Sequence, residues 1–318
     1  MAINVLEFLE ESVARNGAKT ACADEKEAYS YDELADRARR AGSALIEVTG
    51  VRRPVPVFMD KGCKALAVFM GAVYAGCFYV MLDPSQPPAR LDTIIKTLEP
   101  DVMIVDEKSR AKVEKLDFNG KVLPADELMD HIIDEDELGK VREQALDIDP
   151  LYSIFTSGST GVPKGVIVSH RSVIDFIGYF TKIFNITEDD VIGNQAPFDF
   201  DVSVKDIYSA LYTGATLQII PKKFFSFPTK LLDYLEDRKV TTLVWAVSAL
   251  CIVTTLNGFE YKRPSCINKV IFSGEVMPIK HLNAWREQYP DAMFVNVYGP
   301  TEITCNLSLI HISEPTRH

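Results

Sequence analysis

Short apolar runs separated by helical stretches set the outline of this chain. β-prone runs occur at Val55–Met59, Phe78–Leu82, Val102–Val105, Tyr152–Phe155 and Val166–Val168. They recur at Thr216–Ile220, Thr242–Trp245, Lys269–Phe272 and Ala292–Val295. Helical periodicity fills many of the gaps, at Arg90–Leu98, Ser172–Phe184, Ser203–Tyr212, Thr229–Arg238 and Ile279–Tyr289. Nearer the start, Asn4 with Glu7 and Ser30 with Glu33 have the capping-box spacing. Leu34, Ala38, Ala41 and Leu45 then form one helical stripe, with Gly50 as a stop. Alternation of this kind predicts an α/β protein built of layered, largely parallel sheets flanked by helices.

Two uncharged stretches, Ala65–Leu82 and Thr241–Phe259, approach membrane-spanning length. The first holds Gly71 and Gly76 and then turns β-rich; the second carries Thr241, Thr242, Ser248, Thr254, Thr255 and Asn257. A helix–strand pair and a strand–helix pair buried in a core account for both, so no membrane span is expected. The net charge of −11 argues against nucleic acid as a partner. Six scattered cysteines without a C-x2-C pair point to reduced thiols. The segment MAINVLEFLEESVARNG lacks the basic stretch and cleavage site of a signal peptide, and a cytoplasmic location is expected. Residues 124–149 set ten Asp or Glu against Lys140 and Arg142. That composition predicts a solvated helix or connector between one sheet unit and the next.

The strongest chemical signal is Thr156-Ser-Gly-Ser-Thr-Gly-Val-Pro-Lys-Gly165, which follows one strand and precedes another. Glycines let backbone N–H groups approach an anion, hydroxyls add donors and Lys164 adds charge, as ATP phosphates require. It is not a Walker loop. Counted from Gly158, Pro163 stands where the second glycine belongs and Gly165 where Ser or Thr belongs.

This loop resembles the phosphate-binding signature of the adenylate-forming superfamily, which includes acyl-CoA synthetases, luciferases and amino-acid adenylation domains. Tyr29-Ser-Tyr-Asp-Glu-Leu34 and Ala75-Gly-Cys-Phe-Tyr-Val-Met-Leu-Asp83 resemble two further segments, with Met81 in place of the usual proline. Asn296-Val-Tyr-Gly-Pro-Thr-Glu302 matches the N-x-Y-G-P-T-E signature throughout. Asn194–Asp201 and Phe272–Val276 look most like D-alanine–carrier protein ligases and free-standing peptide-synthetase adenylation domains.

The resemblance implies attack of a carboxylate on the α-phosphate of ATP, giving an acyl-adenylate and pyrophosphate. The acyl group then passes to the phosphopantetheine thiol of a carrier protein. Thr156, Ser157, Gly158, Ser159, Thr160, Gly161 and Lys164 would hold the phosphates. Glu302, beside Thr301, would bind Mg2+; Lys164 and Glu302 are the expected catalytic residues. Tyr298 would stack on adenine with Gly299 beside it in the nucleotide site, Asn296 would hydrogen-bond its amino edge, and Gly274-Glu275 would line the opposite face. Asp201, in Phe200-Asp-Val-Ser-Val204, would pair with a substrate α-ammonium. Read without the family, Asp201 is equally an N-cap or an i,i+4 partner of Lys205. The remaining amino-acid pocket would comprise Phe200, Val202, Lys205, Ala246, Ile271, Ser273, Val297, Cys305 and Asn306. Lys205 has two readings, meeting a side-chain carboxylate or snorkelling to solvent. Ser273 in place of cysteine, and Ala249-Leu250 in place of Pro-Ser/Thr, weaken a D-alanine assignment. His170 and His281 have no visible catalytic partner and read as structural.

Alternatives are an acid–CoA ligase of the same superfamily, told apart by its acceptor, and a non-catalytic scaffold. The resemblance covers residues 1–306, read as an incomplete N-terminal adenylation domain that stops before a β-barrel subdomain and a small mobile domain. Leu307–His318 is similar to the translation of a sequencing-library transposase adapter and is expected to be non-native. The chain alone is therefore expected to be a weak nucleotide binder at best.

Overall fold

The computed structural model describes residues 2–157, 163–306 and 308–311. The chain opens with α1 (Leu6–Asn16), the antiparallel pair β1 (Thr20–Ala23) and β2 (Ala28–Ser30), and α2 (Tyr31–Ile46). Then come β3 (Pro54–Phe58), α3 (Cys63–Tyr74), β4 (Phe78–Leu82), α4 (Pro88–Leu98), β5 (Val102–Val105), α5 (Glu107–Val113) and β6 (Lys121–Pro124). Helices α6 (Ala125–Met129) and α7 (Glu135–Glu143) lead to the hairpin β7 (Pro150–Ser157) and β8 (Pro163–Ser169), then α8 (His170–Ile183). Next are β9 (Val191–Asn194), α9 (Val202–Thr213), β10 (Thr216–Ile219) and α10 (Pro228–Asp237). The last elements are β11 (Thr242–Ala246), α11 (Val247–Thr255), α12 (Gly258–Tyr261), β12 (Lys269–Ser273), α13 (Ile279–Gln288), β13 (Met293–Tyr298) and β14 (Ser308–His311).

Two sheets form. One runs β14-β13-β12-β11-β9-β10-β1-β2 and the other β6-β5-β3-β4-β7-β8. Pairing is parallel except at β13/β14, β1/β2 and β7/β8, so the expected largely parallel architecture is what the chain adopts. The exposed strand β14 lies within the segment expected to be non-native.

Both uncharged stretches resolve as core. From Ala65 to Val73 no apolar side chain of α3 is more than 2% exposed, and β4 follows it at once. Burying such side chains is worth roughly 1.5–3 kcal/mol each, which accounts for a run as apolar as a membrane segment. Close approach of α2 and α3 requires glycine: a Cβ on Gly42 would lie 2.6 Å from Cβ of Tyr74. Phe69 stacks on Tyr79 from β4 at 4.2 Å. The second stretch is β11 followed by α11 and the start of α12. Trp245 is fully buried there, its indole N–H donating to the Gly193 carbonyl at 2.8 Å. Among the described residues no helix is long and apolar enough to cross a membrane.

Ser30 and Glu33 form both halves of the capping box. The Asn4 expectation is met by half. Glu7 accepts from the Asn4 amide at 3.1 Å, but the Asn4 side chain accepts from Leu6 rather than Glu7. The acidic segment 124–149 differs from expectation in a second way. It does not lead from one sheet to the other, because β6 and β7 belong to the same six-stranded sheet. Its charge reflects exposure: α7 buries only Leu138 and pairs outward, as Arg39 does with Glu135. The passages between sheets are α2 and α8.

Candidate functional site

The motif residues gather at the carboxyl ends of neighbouring parallel strands, the edge where open α/β sheets bind ligands. β11 ends at Ala246, β12 at Ser273 and β13 at Tyr298. Gly274 follows β12 with φ +97°, and a Cβ there would meet nothing within 4 Å. Glycine is needed by the backbone at that point, and the position faces open space. Glu275 beside it is exposed, and the Tyr298 ring is 68% exposed, as a stacking surface must be. Asn296, on β13, is half-buried.

The six-stranded sheet contributes the β7–β8 hairpin, in which Thr156 lies opposite Lys164. Lys164 is exposed. Gly158, Ser159, Thr160 and Gly161, expected phosphate contacts, lie outside the described residues. β8 packs against the single 3-10 turn Thr301–Ile303, so the hairpin and the Glu302 segment are neighbours. The Glu302 carboxylate is exposed and makes no hydrogen bond or ion pair with the described residues.

Phe200-Asp-Val-Ser-Val204 and the segment after Tyr298 are tied together by three contacts. The Thr301 hydroxyl lies near enough to the Asp201 carboxylate to help hold its pKa down. Cys305 Sγ donates to the Asp201 carbonyl at 3.0 Å, and Lys205 Nζ donates to Asn306 Oδ1 at 3.0 Å. Neither plain reading of Asp201 survives. It stands at the start of α9 without a side-chain capping bond, and it forms no ion pair with Lys205, whose ammonium turns to Asn306. Burial raises the Asp201 carboxyl above the usual range, opposed by the Lys205 charge and the Thr301 hydroxyl. Such an acid favours any cation that comes within reach. Lys205 is 1% exposed, so it does not snorkel, and burial lowers its pKa. Ile271, Ser273, Val297 and Cys305 are buried nearby, Val202 and Ala246 are half-buried, and Phe200 is exposed. His170 is structural: buried, it accepts from the Val5 amide at 3.3 Å.

Sequence reasoning missed a buried polar chain behind this junction. Asn194 donates to Asp206 Oδ2 at 2.7 Å and accepts from Lys61 at 2.9 Å. Asp206 is fully buried, and its Oδ1 has no hydrogen-bond partner among the described residues. Burial lifts its pKa to about 7, moderated by Asn194, Lys205 and Lys61. The available signal was a charged pair, Lys205-Asp206, inside an otherwise uncharged helix. A folded-state pKa raised above the unfolded value of about 3.9 makes stability greatest below that value. It then falls by on the order of 4 kcal/mol as pH rises to about 7. Asp206→Asn is expected to remove that decline in urea titrations between pH 4 and 7.5. His170, lowered to about 4, pulls the other way in both proteins and cancels in the difference. Parallel curves for variant and wild type would refute the assignment.

A cavity of about 530 Å³ lies one loop away, lined by Met59, Lys61, Met81, Phe198, Asp199 and Lys222 among others. Met81, Asp83, Gln195 and Pro197–Asp199 line it, but none of the residues expected to hold ATP or the amino acid does.

The chain matches the family model described as AMP-binding enzyme over residues 9–318. It is 30% identical over 295 residues to a D-alanine--D-alanyl carrier protein ligase of Listeria monocytogenes, covering 89% of this chain and 56% of that protein. An L-proline--[L-prolyl-carrier protein] ligase of Pseudomonas fluorescens is 28% identical over 321 residues, covering 98% of this chain and 64% of that one. Among solved structures, the nonribosomal peptide synthetase FmoA3 superposes with a TM-score of 0.86 at 25% identity. That match covers 98% of this chain and 33% of FmoA3, whose AMPPNP-bound form matches equally well. The chain spans 56% and 62% of the length of two D-alanine–carrier protein ligases it matches.

Proposed function

The chain belongs to the family of AMP-binding enzymes, and from that premise we propose that it is the N-terminal part of a cytoplasmic amino-acid adenylation enzyme. The complete protein joins an amino acid to ATP as an aminoacyl-adenylate, releases pyrophosphate and loads a carrier protein's phosphopantetheine thiol. One observation carries this reading: the Asp201, Lys205, Thr301, Cys305 and Asn306 junction, which sets a desolvated acid beside the turn that bears Glu302. Relatives named as amino-acid–carrier protein ligases support it.

Positioning and charge neutralisation do most of the work in such a reaction. Asp201 fixes the α-ammonium, which orients the substrate carboxylate toward the nucleotide. Tyr298 and Asn296 seat adenine opposite Gly274-Glu275. Thr156, Lys164 and the loop between them hold the phosphates, Lys164 offsetting negative charge. Glu302 and Thr301 present hard oxygen donors, and the uncommitted Glu302 carboxylate suits Mg2+. When bound, that ion neutralises phosphate charge. Residues 307–318 have no part in this scheme. Calorimetry of the complete protein with ATP and magnesium is expected to show saturable binding, weakened about tenfold or more by Lys164→Ala. A flat titration would remove the nucleotide site and the function with it.

A further inference from the structure

We infer that Lys61, which belongs to the other sheet, is a positioning residue for amino-acid binding, clamping the loop that presents Asp201. The inference rests on the adenylation reading above. Lys61 follows β3 in the six-stranded sheet, yet its ammonium reaches across to the end of β9 in the eight-stranded one. It donates to the Asn194 side chain at 2.9 Å and to the carbonyls of Asn194, Gln195 and Ala196 at 3.4, 3.0 and 3.3 Å.

The Asn194 carbonyl already accepts from the Ile220 amide at 3.1 Å, but those of Gln195 and Ala196 need a donor. β9 pairs with β11 only as far as Gly193 and with β10 only as far as Asn194, so the chain beyond leaves the ladder. A single cation that satisfies consecutive carbonyls fixes the direction in which the loop departs. Two ties run from this hub to the amino-acid site. Asn194 holds Asp206 on α9, the helix that begins beside Asp201 and carries Lys205. Gln195 Oε1 accepts from the Ala246 amide at 3.2 Å, holding the end of β11. Among the described residues, Tyr298, Gly274 and Lys164 form no side-chain hydrogen bond or ion pair with Lys61, Asn194, Gln195 or Asp206. The clamp therefore acts on the amino acid and not on ATP.

The charges around the half-buried ammonium fit a clamp. Asp206 attracts it and Lys222 repels it, while Asp60 next to it is paired with Lys108. Burial lowers Lys61 to about 8, so it remains mostly cationic at neutral pH.

The test is amino-acid-dependent ATP–pyrophosphate exchange by the complete protein, with KM measured separately for amino acid and ATP. Lys61→Met should raise the amino-acid KM by about tenfold or more, with the ATP KM within about twofold. Lys61→Arg, which keeps charge and donors, should recover most of the loss. Lys108→Met, on the rim of the same cavity, should change neither constant. An unaltered amino-acid KM in Lys61→Met, or equal rises in both constants, would overturn the inference. Should Lys61→Met fail to fold, Lys61→Gln decides: it keeps an N–H donor without the charge, so a selective rise in the amino-acid KM supports the clamp and no selective rise refutes it. Wild-type protein without exchange for any amino acid would instead overturn the adenylation reading, and the clamp would fall with it.

Discussion

Asp201→Ala in the complete protein is expected to abolish amino-acid-dependent pyrophosphate exchange while leaving ATP binding within about twofold. The reason is electrostatic. Burial has already pushed the Asp201 carboxyl upward, and the nearest cation, Lys205, is turned away to Asn306. A substrate ammonium therefore meets a partner that is poorly solvated and not otherwise neutralised. Truncating one member of a desolvated charge pair costs about 2–5 kcal/mol, on the order of 10²- to 10³-fold in exchange. Binding should also pull the carboxyl's pKa back down, because the arriving ammonium favours the ionised form that burial had disfavoured. ATP should be spared because the residues proposed to hold it lie on or after β12 and β13 and on the β7–β8 hairpin. Exchange kinetics for the variant that match wild type would take Asp201 out of the site.

Much of this arrangement was legible from residues alone, for identifiable reasons. Strands β4 and β5 begin and end where their apolar runs do, because both are buried on each face and their runs are bounded by Asp83-Pro84 and Asp106. The hairpin that carries the phosphate loop was visible because glycines and hydroxyls interrupt two β-prone runs. The short strands β1, β2, β6 and β9 were not read, since their three or four residues mix polar with apolar positions and lack the unbroken apolar run that marks β5. Lys61 and the Asn194–Asp206 link escaped for a different reason. Lys61 reaches Asn194 across 133 residues and two sheets, while Asn194 and Asp206, 12 residues apart, meet only because α9 folds back beside the end of β9. The acidic connector misled because charge reports exposure and not which sheet comes next.

Lys205 leads to the other large effect, on which amino acid is used. An ammonium that is 1% exposed has lost several kcal/mol of hydration, and one amide oxygen from Asn306 returns only part of it. Its carboxylate neighbours do not complete the pairing: Asp201 is assigned to the α-ammonium, and burial lifts Asp206 to about 7 with an oxygen still unsatisfied. An apolar substrate side chain would leave Lys205 buried without a counter-charge. An anionic one would supply it, giving two complementary pairs, Asp201 with the α-ammonium and Lys205 with the side-chain carboxylate. Profiling exchange across the amino acids is thus expected to rank Asp or Glu first. Lys205→Met should lower kcat/KM for that substrate by on the order of 10²- to 10³-fold and raise it for Met or Leu of similar size. The sign of the second change matters, because a variant that had only lost structure would lose every substrate alike. If an aliphatic or aromatic amino acid ranks first and Lys205→Met leaves the ranking unchanged, Lys205 does not read the side chain, and its burial serves the Asn306 contact alone.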